Sequence, residues 1–390
     1  MAELGSIIER AEAIQGRLLS WRPVRLRDWS RQCVVPKRGL ILSGPRGVGK
    51  TTWMLSQAEA RHLLYLSADN PVFAGVPLYD LIEAAYLQGY EGVCIDEVHF
   101  AADWSQHLKA AYDAFPGKCL IASDSSTIVL KKEIADLSRR FPIQTMPFLS
   151  FREYLMLVTD QHIEPIPVFE YPADAVRHLC RTINVQRHFR EYLGGGFRPF
   201  FIEGRDRYLD RVMQTVQKAM EADIPFLVPM VTENHLRLMQ AVIGYLAVSP
   251  VPTLQVNSLC REWAIGKEKL YQLLEAMERA HLIRIIRRRN DRHVQSVGAK
   301  LLLQEPAMYD YFGSNPGTRR EAYVATAFSD AGHRVHAASN ESQCDFLVDE
   351  RTVEVGGRTK SRKAADFVIA DDLDLPAGQR LPLWLPGLGY

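Results

Sequence analysis

The stretch LILSGPRGVGKTTWML, residues 40 to 55, limits the fold more than any other part of the chain. An apolar run stops at Ser43, a glycine-rich loop follows, and an apolar helical pattern begins after Thr51. The loop fits G-x-x-x-x-G-K-[ST] without a gap: Gly44, then Pro45, Arg46, Gly47 and Val48, then Gly49, Lys50 and Thr51. Glycines let a backbone wrap a polyphosphate with its N–H groups pointing inward, and the helix that follows adds the positive end of its dipole. Lys50 is placed to reach β- and γ-phosphates and Thr51 to put a hydroxyl on Mg²⁺, with Thr52 beside them in the first helical turn. Pro45 has no N–H to offer and shapes the turn. The bland alternative is a glycine-rich turn that binds nothing.

A second acidic element is needed before hydrolysis can be considered, and EGVCIDEVHF supplies one. Val93, Cys94 and Ile95 form a short apolar run suited to a buried parallel strand, and Asp96 and Glu97 follow at its carboxyl end. There Asp96 is expected to hold the hydration shell of Mg²⁺, and Glu97 to orient and deprotonate an attacking water. Downstream of the loop this pair reads as a Walker B element, whereas alone it would be a solvated strand end. The next apolar run, KCLIASDSS, ends in Ser123, Asp124, Ser125 and Ser126. A central strand beside the loop strand would put one of these between Glu97 and the γ-phosphate. The competing reading is a Ser-rich turn capping a helix near Thr127. Arg139 and Arg140 are either a solvated helix end or an arginine finger.

The segments GPRGVGKTT, IDEVHF, SDSS, LSRRF, MPFLSFREYL and YLGGGFRPF occur in the order and spacing of a group of prokaryotic AAA+ ATPases that carry an uncharacterised C-terminal region. The chain resembles that group over most of its length. The resemblance implies an ATP-binding doubly wound parallel sheet followed by a helical lid. The group usually has Thr-Gly-Ser-Ser at residues 123–126, with Ser125 the sensor candidate here. It usually has Gly-Arg at 139–140, which makes Arg140 the finger candidate.

Composition narrows the remainder. Hydrophobic residues make up 47% and charged residues 24% of 390, an ordinary globular balance. The formal net charge is +1, so no global field draws the chain to nucleic acid or membrane, and any such binding must be local. Cys33, Cys94, Cys119, Cys180, Cys260 and Cys344 form no C-x-x-C pair, which argues against zinc and for a reducing compartment. The first 21 residues read as a charged helix with Leu4, Ile8, Ala11, Leu18 and Leu19 on its apolar positions. No apolar run reaches membrane length. A cytoplasmic location is expected.

Four segments are expected: an α/β P-loop core with its N-terminal helix over 1–150, a helical lid over 151–247, a winged helix over 248–312 and a small α/β domain over 313–390. Gly194, Gly195 and Gly196 lack a following Lys-Thr and read as a helix cap and turn. The winged-helix reading rests on helices Val256–Trp263 and Lys267–Ala280, followed by the strand-like runs LIRIIRR and HVQSVGAK. Its wing carries Arg284, Arg287, Arg288, Arg289, Arg292 and His293. Such a run either follows a duplex phosphate backbone, docks on a neighbouring subunit, or is simply solvated.

In the last segment Glu321, Asp345 and Glu354 occur in an order that resembles the PD-(D/E)-x-K nuclease core. The lysine expected two residues after the last acid is replaced by Gly356, a departure the resembled group shares, and Lys360 lies four residues further on. The missing lysine ranks a structural or recognition role above cleavage. The expected function is therefore Mg²⁺-dependent ATP hydrolysis that drives oligomer assembly or remodelling of bound DNA or protein. An ATP-dependent nuclease and a nucleotide-binding scaffold with little turnover are the alternatives.

Overall fold

Leu40, Ile41 and Leu42 are wholly buried in strand β1 (Gly39–Ser43) of the computed structural model, and the sheet of the first unit is built outward from it. The structure describes residues 2–125, 137–227, 233–249, 256–262, 264–289, 299–313, 315–340 and 342–390. The chain divides into two compact units, Met1–Pro147 and Phe148–Tyr390.

The first unit holds β1, β2 (Leu63–Ser67), β3 (Gly92–Asp96), β4 (Cys119–Asp124) and β5 (Ile143–Thr145) in one sheet. The order is β2-β3-β4-β1-β5 and every pairing is parallel. Because the helices cover both faces, the inner strands are continuous apolar runs rather than alternating ones. Cys94 and Cys119 lie buried in two of them, and burial pushes both thiols up. The register sets Ser43 opposite Asp124 and Ser67 opposite Asp96, so the polar carboxyl ends of four strands come out along one edge. Helix Ala2–Trp21 buries Ile8 and Ala11, while Leu18 faces solvent. Gln15 of that helix donates to Leu63 O at 3.2 Å and accepts from Tyr65 N at 2.8 Å. Its amide thereby covers backbone groups that edge strand β2 would otherwise expose.

The segments expected as lid, winged helix and C-terminal α/β domain all lie in the second unit. Helix Phe151–Thr159 opens on a capping box in which Ser150 and Glu153 satisfy each other's backbone N–H. Helix Val185–Gly195 ends at Gly196, whose N–H bonds Tyr192 O at 2.7 Å. The glycines here serve packing as well as the cap. A Cβ on Gly195 would lie 2.9 Å from the Tyr208 ring, and one on Gly196 would lie 2.6 Å from the Tyr192 ring. Phe151, Tyr154, Phe189, Tyr192, Phe197 and Tyr323 form the aromatic core around this point.

Helices Val256–Glu262 and Lys267–Arg279 precede an antiparallel pair, β6 (Ile283–Ile286) and β7 (Lys300–Leu303). The second strand runs over Lys300–Leu303, beginning at the last residue of HVQSVGAK; residues 293–298 of that run lie outside the described residues. Leu301, Leu302 and Leu303 are buried there. The last sheet has the order β12-β11-β10-β9-β8, from β8 (Val335–Ala337), β9 (Phe346–Val348), β10 (Arg351–Gly356), β11 (Phe367–Ala370) and β12 (Arg380–Pro382). Its β8-β9-β10 side is antiparallel and its β10-β11-β12 side parallel. Among the described residues no helix is long and apolar enough to cross a membrane.

A buried ion pair fixes the middle of the second unit. Arg198 Nε donates to Glu305 Oε2 at 2.6 Å, and Tyr208 donates to Glu305 Oε1 at 2.7 Å. Removing one partner of such a pair leaves an uncompensated charge in the interior. Arg198→Met is expected to cost about 3–5 kcal/mol, seen as a lower urea midpoint. A loss below about 1 kcal/mol would show that Glu305 is satisfied without the arginine.

Candidate active site

The loop between β1 and helix Lys50–Arg61 turns through left-handed backbone that only glycine adopts cheaply, with φ of 145° at Gly44 and 107° at Gly49. At Gly44 the need is steric too, since a Cβ would come 2.3 Å from Met146 O. Gly47 also has a positive φ. Behind the loop, buried Arg27 donates from Nη1 to Val48 O at 3.0 Å and to Pro147 O at 2.8 Å. Lys50 is buried at the start of the helix, and its ammonium donates to Gly44 O at 2.6 Å and Pro45 O at 3.1 Å. Burial lowers its pKa, opposed by Glu97 and Asp96. Thr52 is half-buried in the first turn.

Asp96, at the end of β3, gathers groups from the neighbouring elements. Its Oδ2 accepts from Thr51 Oγ1 at 2.6 Å and from the Tyr65 hydroxyl at 2.8 Å. Its Oδ1 accepts from the Ser123 hydroxyl and from Glu97 N at 3.2 Å. Burial, reinforced by Asp96, pushes the Tyr65 phenol up, so it stays a donor. The Thr51 hydroxyl and the Asp96 carboxylate are adjacent hard oxygens, the donor chemistry Mg²⁺ prefers. These two residues would hold that ion, which supplies charge neutralisation at bound phosphates.

Glu97 follows in left-handed backbone, φ 48° and ψ 49°, a conformation that costs a residue with a side chain roughly 1–2 kcal/mol. Its Oε1 lies 3.2 Å from Arg46 Nη1, and its Oε2 accepts from Ser125 Oγ at 2.9 Å. Burial raises the Glu97 pKa, with Lys50 and Arg46 pulling the other way. His99 Nδ1 lies 3.7 Å from Glu97 Oε2 and 3.3 Å from Asp124 Oδ2. Among the described residues Glu97, His99 and Asp124 are a group compact enough to hold a cation, their ligand atoms within 4.8 Å of one another.

The sequence-named residues of the first unit thus separate into two sets. Gly44, Pro45, Arg46, Gly47, Val48, Gly49, Lys50, Thr51, Asp96, Glu97, Ser123 and Ser125 come together around the loop; Ser126 lies outside the described residues. Arg140 stands apart, donating to both oxygens of Asp113 at 2.9 and 2.8 Å and holding that carboxyl below its usual range. Arg139 is exposed. Sequence reasoning missed Arg27, Tyr65 and His99. A tyrosine inside the apolar run Leu63–Ser67 was a usable signal, because a buried phenol needs a partner. Nothing near Arg27 in the sequence marks it.

In the second unit the three acids named from the sequence each meet a lysine. Lys300 of β7 lies 2.6 Å from Glu321 Oε2 and 3.5 Å from Asp345 Oδ1. Lys360 and Lys363 lie 2.9 and 2.8 Å from Glu354 Oε1. Lys360 crosses the bare face of Gly356, where a Cβ would lie 2.5 Å from its Cγ. The hairpin arginines are also engaged: Arg284 with Asp330 at 2.7 Å, Arg287 with Glu278 at 2.7 Å, and Arg289 with Glu350 at 2.7 Å. Arg288 is half-buried and its backbone bridges to Ala337. Arg292 and His293 lie outside the described residues.

Residues 36–155 match the family model described as AAA domain. The match contains the loop, β1 to β5 and every residue described above as meeting Asp96 or Glu97. No curated protein matches the chain. Among solved structures, AMPPCP-bound DnaA from Aquifex aeolicus is 13% identical and covers 64% of this chain and 84% of its own, with a TM-score of 0.27. A likeness of that size carries no argument about fold or activity.

Gly44→Ala tests the cradle directly. The added Cβ meets Met146 O, so the loop must open, and affinity for a fluorescent ATP analogue is expected to fall at least about tenfold with an unchanged circular dichroism spectrum. Undiminished affinity would mean that phosphate does not sit in this loop.

Proposed function

We propose that the chain binds Mg²⁺ and ATP and hydrolyses the nucleotide to ADP and phosphate. The observation that carries this reading is the meeting of Lys50, the Thr51–Asp96 pair and Glu97 at the carboxyl ends of β1 and β3, with β4 between those strands. Backbone N–H groups of residues 46–51 and the Lys50 ammonium bind the β- and γ-phosphates. Thr51 and Asp96 position the metal. Glu97 takes the proton of the attacking water. Ser125, on the carboxyl side of β4, orients the Glu97 carboxylate through its 2.9 Å hydrogen bond. The reading extends to nucleotide-dependent assembly, in which Arg140 exchanges Asp113 of its own chain for the γ-phosphate bound by a neighbour. Hydrolysis then remodels the assembly or a bound partner.

Lys50→Ala is expected to abolish ATP binding, because the loop alone does not supply a cation at the β/γ-phosphates. Glu97→Gln is expected to keep binding and to lower kcat by about 10²–10⁴-fold, since an amide accepts no proton. Equilibrium binding and phosphate release measure the two, and turnover at the parent rate by both variants would refute the ATPase reading. Light scattering with and without ATP tests assembly; a monomer that hydrolyses ATP normally removes Arg140 from the mechanism. With Mn²⁺ and ATP, supercoiled plasmid is expected to remain intact, because lysines occupy the acids a nuclease would use for metal.

A further inference from the structure

The side chains proposed above to engage Mg·ATP and the attacking water are held by the chain itself in this structure. Lys50 is held by the carbonyls of Gly44 and Pro45, and Thr51 by Asp96. Glu97 is held on both oxygens, Oε1 by the Arg46 guanidinium at 3.2 Å and Oε2 by Ser125 at 2.9 Å. Arg46 belongs to the loop that wraps the phosphates, yet its side chain ends on the carboxylate that acts beside the γ-phosphate. Both side chains are largely shielded, with 15% and 14% of their surface exposed. Solvent therefore screens this contact less than it would a surface pair.

We propose that Arg46 distinguishes ATP from ADP by leaving Glu97 for the γ-phosphate. The inference rests on the ATPase reading above. A guanidinium is a planar fork that pairs with phosphate through two parallel hydrogen bonds, and the γ-phosphate carries more negative charge than one carboxylate. When ATP arrives, the guanidinium moves to the γ-phosphate and Oε1 of Glu97 becomes able to accept from the attacking water. ADP ends at the β-phosphate, which the loop amides and Lys50 bind, so Arg46 stays on Glu97 and the base stays engaged. Breaking the Arg46–Glu97 contact is then a cost borne by ATP binding alone. By linkage, anything that weakens the contact strengthens ATP relative to ADP.

A double-mutant cycle reads this coupling. The parent, Arg46→Met, Glu97→Gln and the double variant are titrated, with Mg²⁺ present, against ADP and against the β,γ-methylene analogue of ATP. Neutralising Glu97 weakens its hold on Arg46, so Glu97→Gln is expected to tighten the analogue about tenfold over ADP. In the Arg46→Met background the same change is expected to shift the analogue-to-ADP ratio by less than about twofold. Arg46→Lys, which keeps the charge without the fork, is expected to fall between the two, and it serves in place of Arg46→Met should that variant not fold. An equal effect of Glu97→Gln in both backgrounds, or an equal tightening of ADP, overturns the assignment. Those outcomes with Glu97→Gln still inactive in phosphate release sink Arg46 alone, whereas full turnover by Glu97→Gln sinks the ATPase reading beneath it.

Discussion

The Asp96 carboxylate is the point on which the first unit depends. It is buried, and a buried carboxylate is tolerated only when donors meet its oxygens. Those donors come from separate parts of the chain: Thr51 from the helix after the loop, Tyr65 from β2, Ser123 from β4, and the N–H of Glu97. Satisfying one charge therefore fixes three neighbouring elements relative to β3. The parallel register makes this affordable, because it already aligns Ser67 with Asp96 and Ser43 with Asp124 before any side chain is placed.

Glu97 is positioned as a consequence. Asp96 meets the strands on either side, and the left-handed turn at Glu97 directs the next carboxylate to Arg46 of the loop and to Ser125 just beyond β4. Adjacent residues in extended backbone would point to opposite faces of the sheet. The departure from that rule is what brings two consecutive acids to one site. Arg27 acts at greater remove, tying the Val48 carbonyl from behind so that the loop is held where its amides can be used.

The second unit resolves its buried charges differently, by pairing within the fold. Arg198, Tyr208 and Glu305 form one connected set, and Lys300, Lys360 and Lys363 neutralise the acids at positions 321, 345 and 354. Gly356 gives this arrangement its room. With no side chain there, the aliphatic part of Lys360 lies across the strand and carries its ammonium to Glu354, a route that residue spacing does not reveal.

The loop, its strand and the Asp96–Glu97 pair were legible from the sequence because each depends on local rules. Glycine alone accepts the backbone at positions 44 and 49, an apolar run ending in acids marks a buried parallel strand, and phosphate chemistry demands a lysine and a hydroxyl at fixed spacing. The start of helix Phe151–Thr159 was equally local, a capping box written in four residues. Partners contributed from far along the chain were not legible. Tyr65 reaches Asp96 across 31 positions, Arg27 reaches Pro147 across 120, and Arg198 reaches Glu305 across 107. The basic run in the hairpin shows the limit most clearly, since its charge could be counted but not its neighbours: Glu278, Asp330 and Glu350 come from elsewhere in the chain to meet Arg287, Arg284 and Arg289. Residue type and short spacing specify what a side chain is able to do, while the partner that occupies it depends on which distant segments the packed core brings within hydrogen-bond reach.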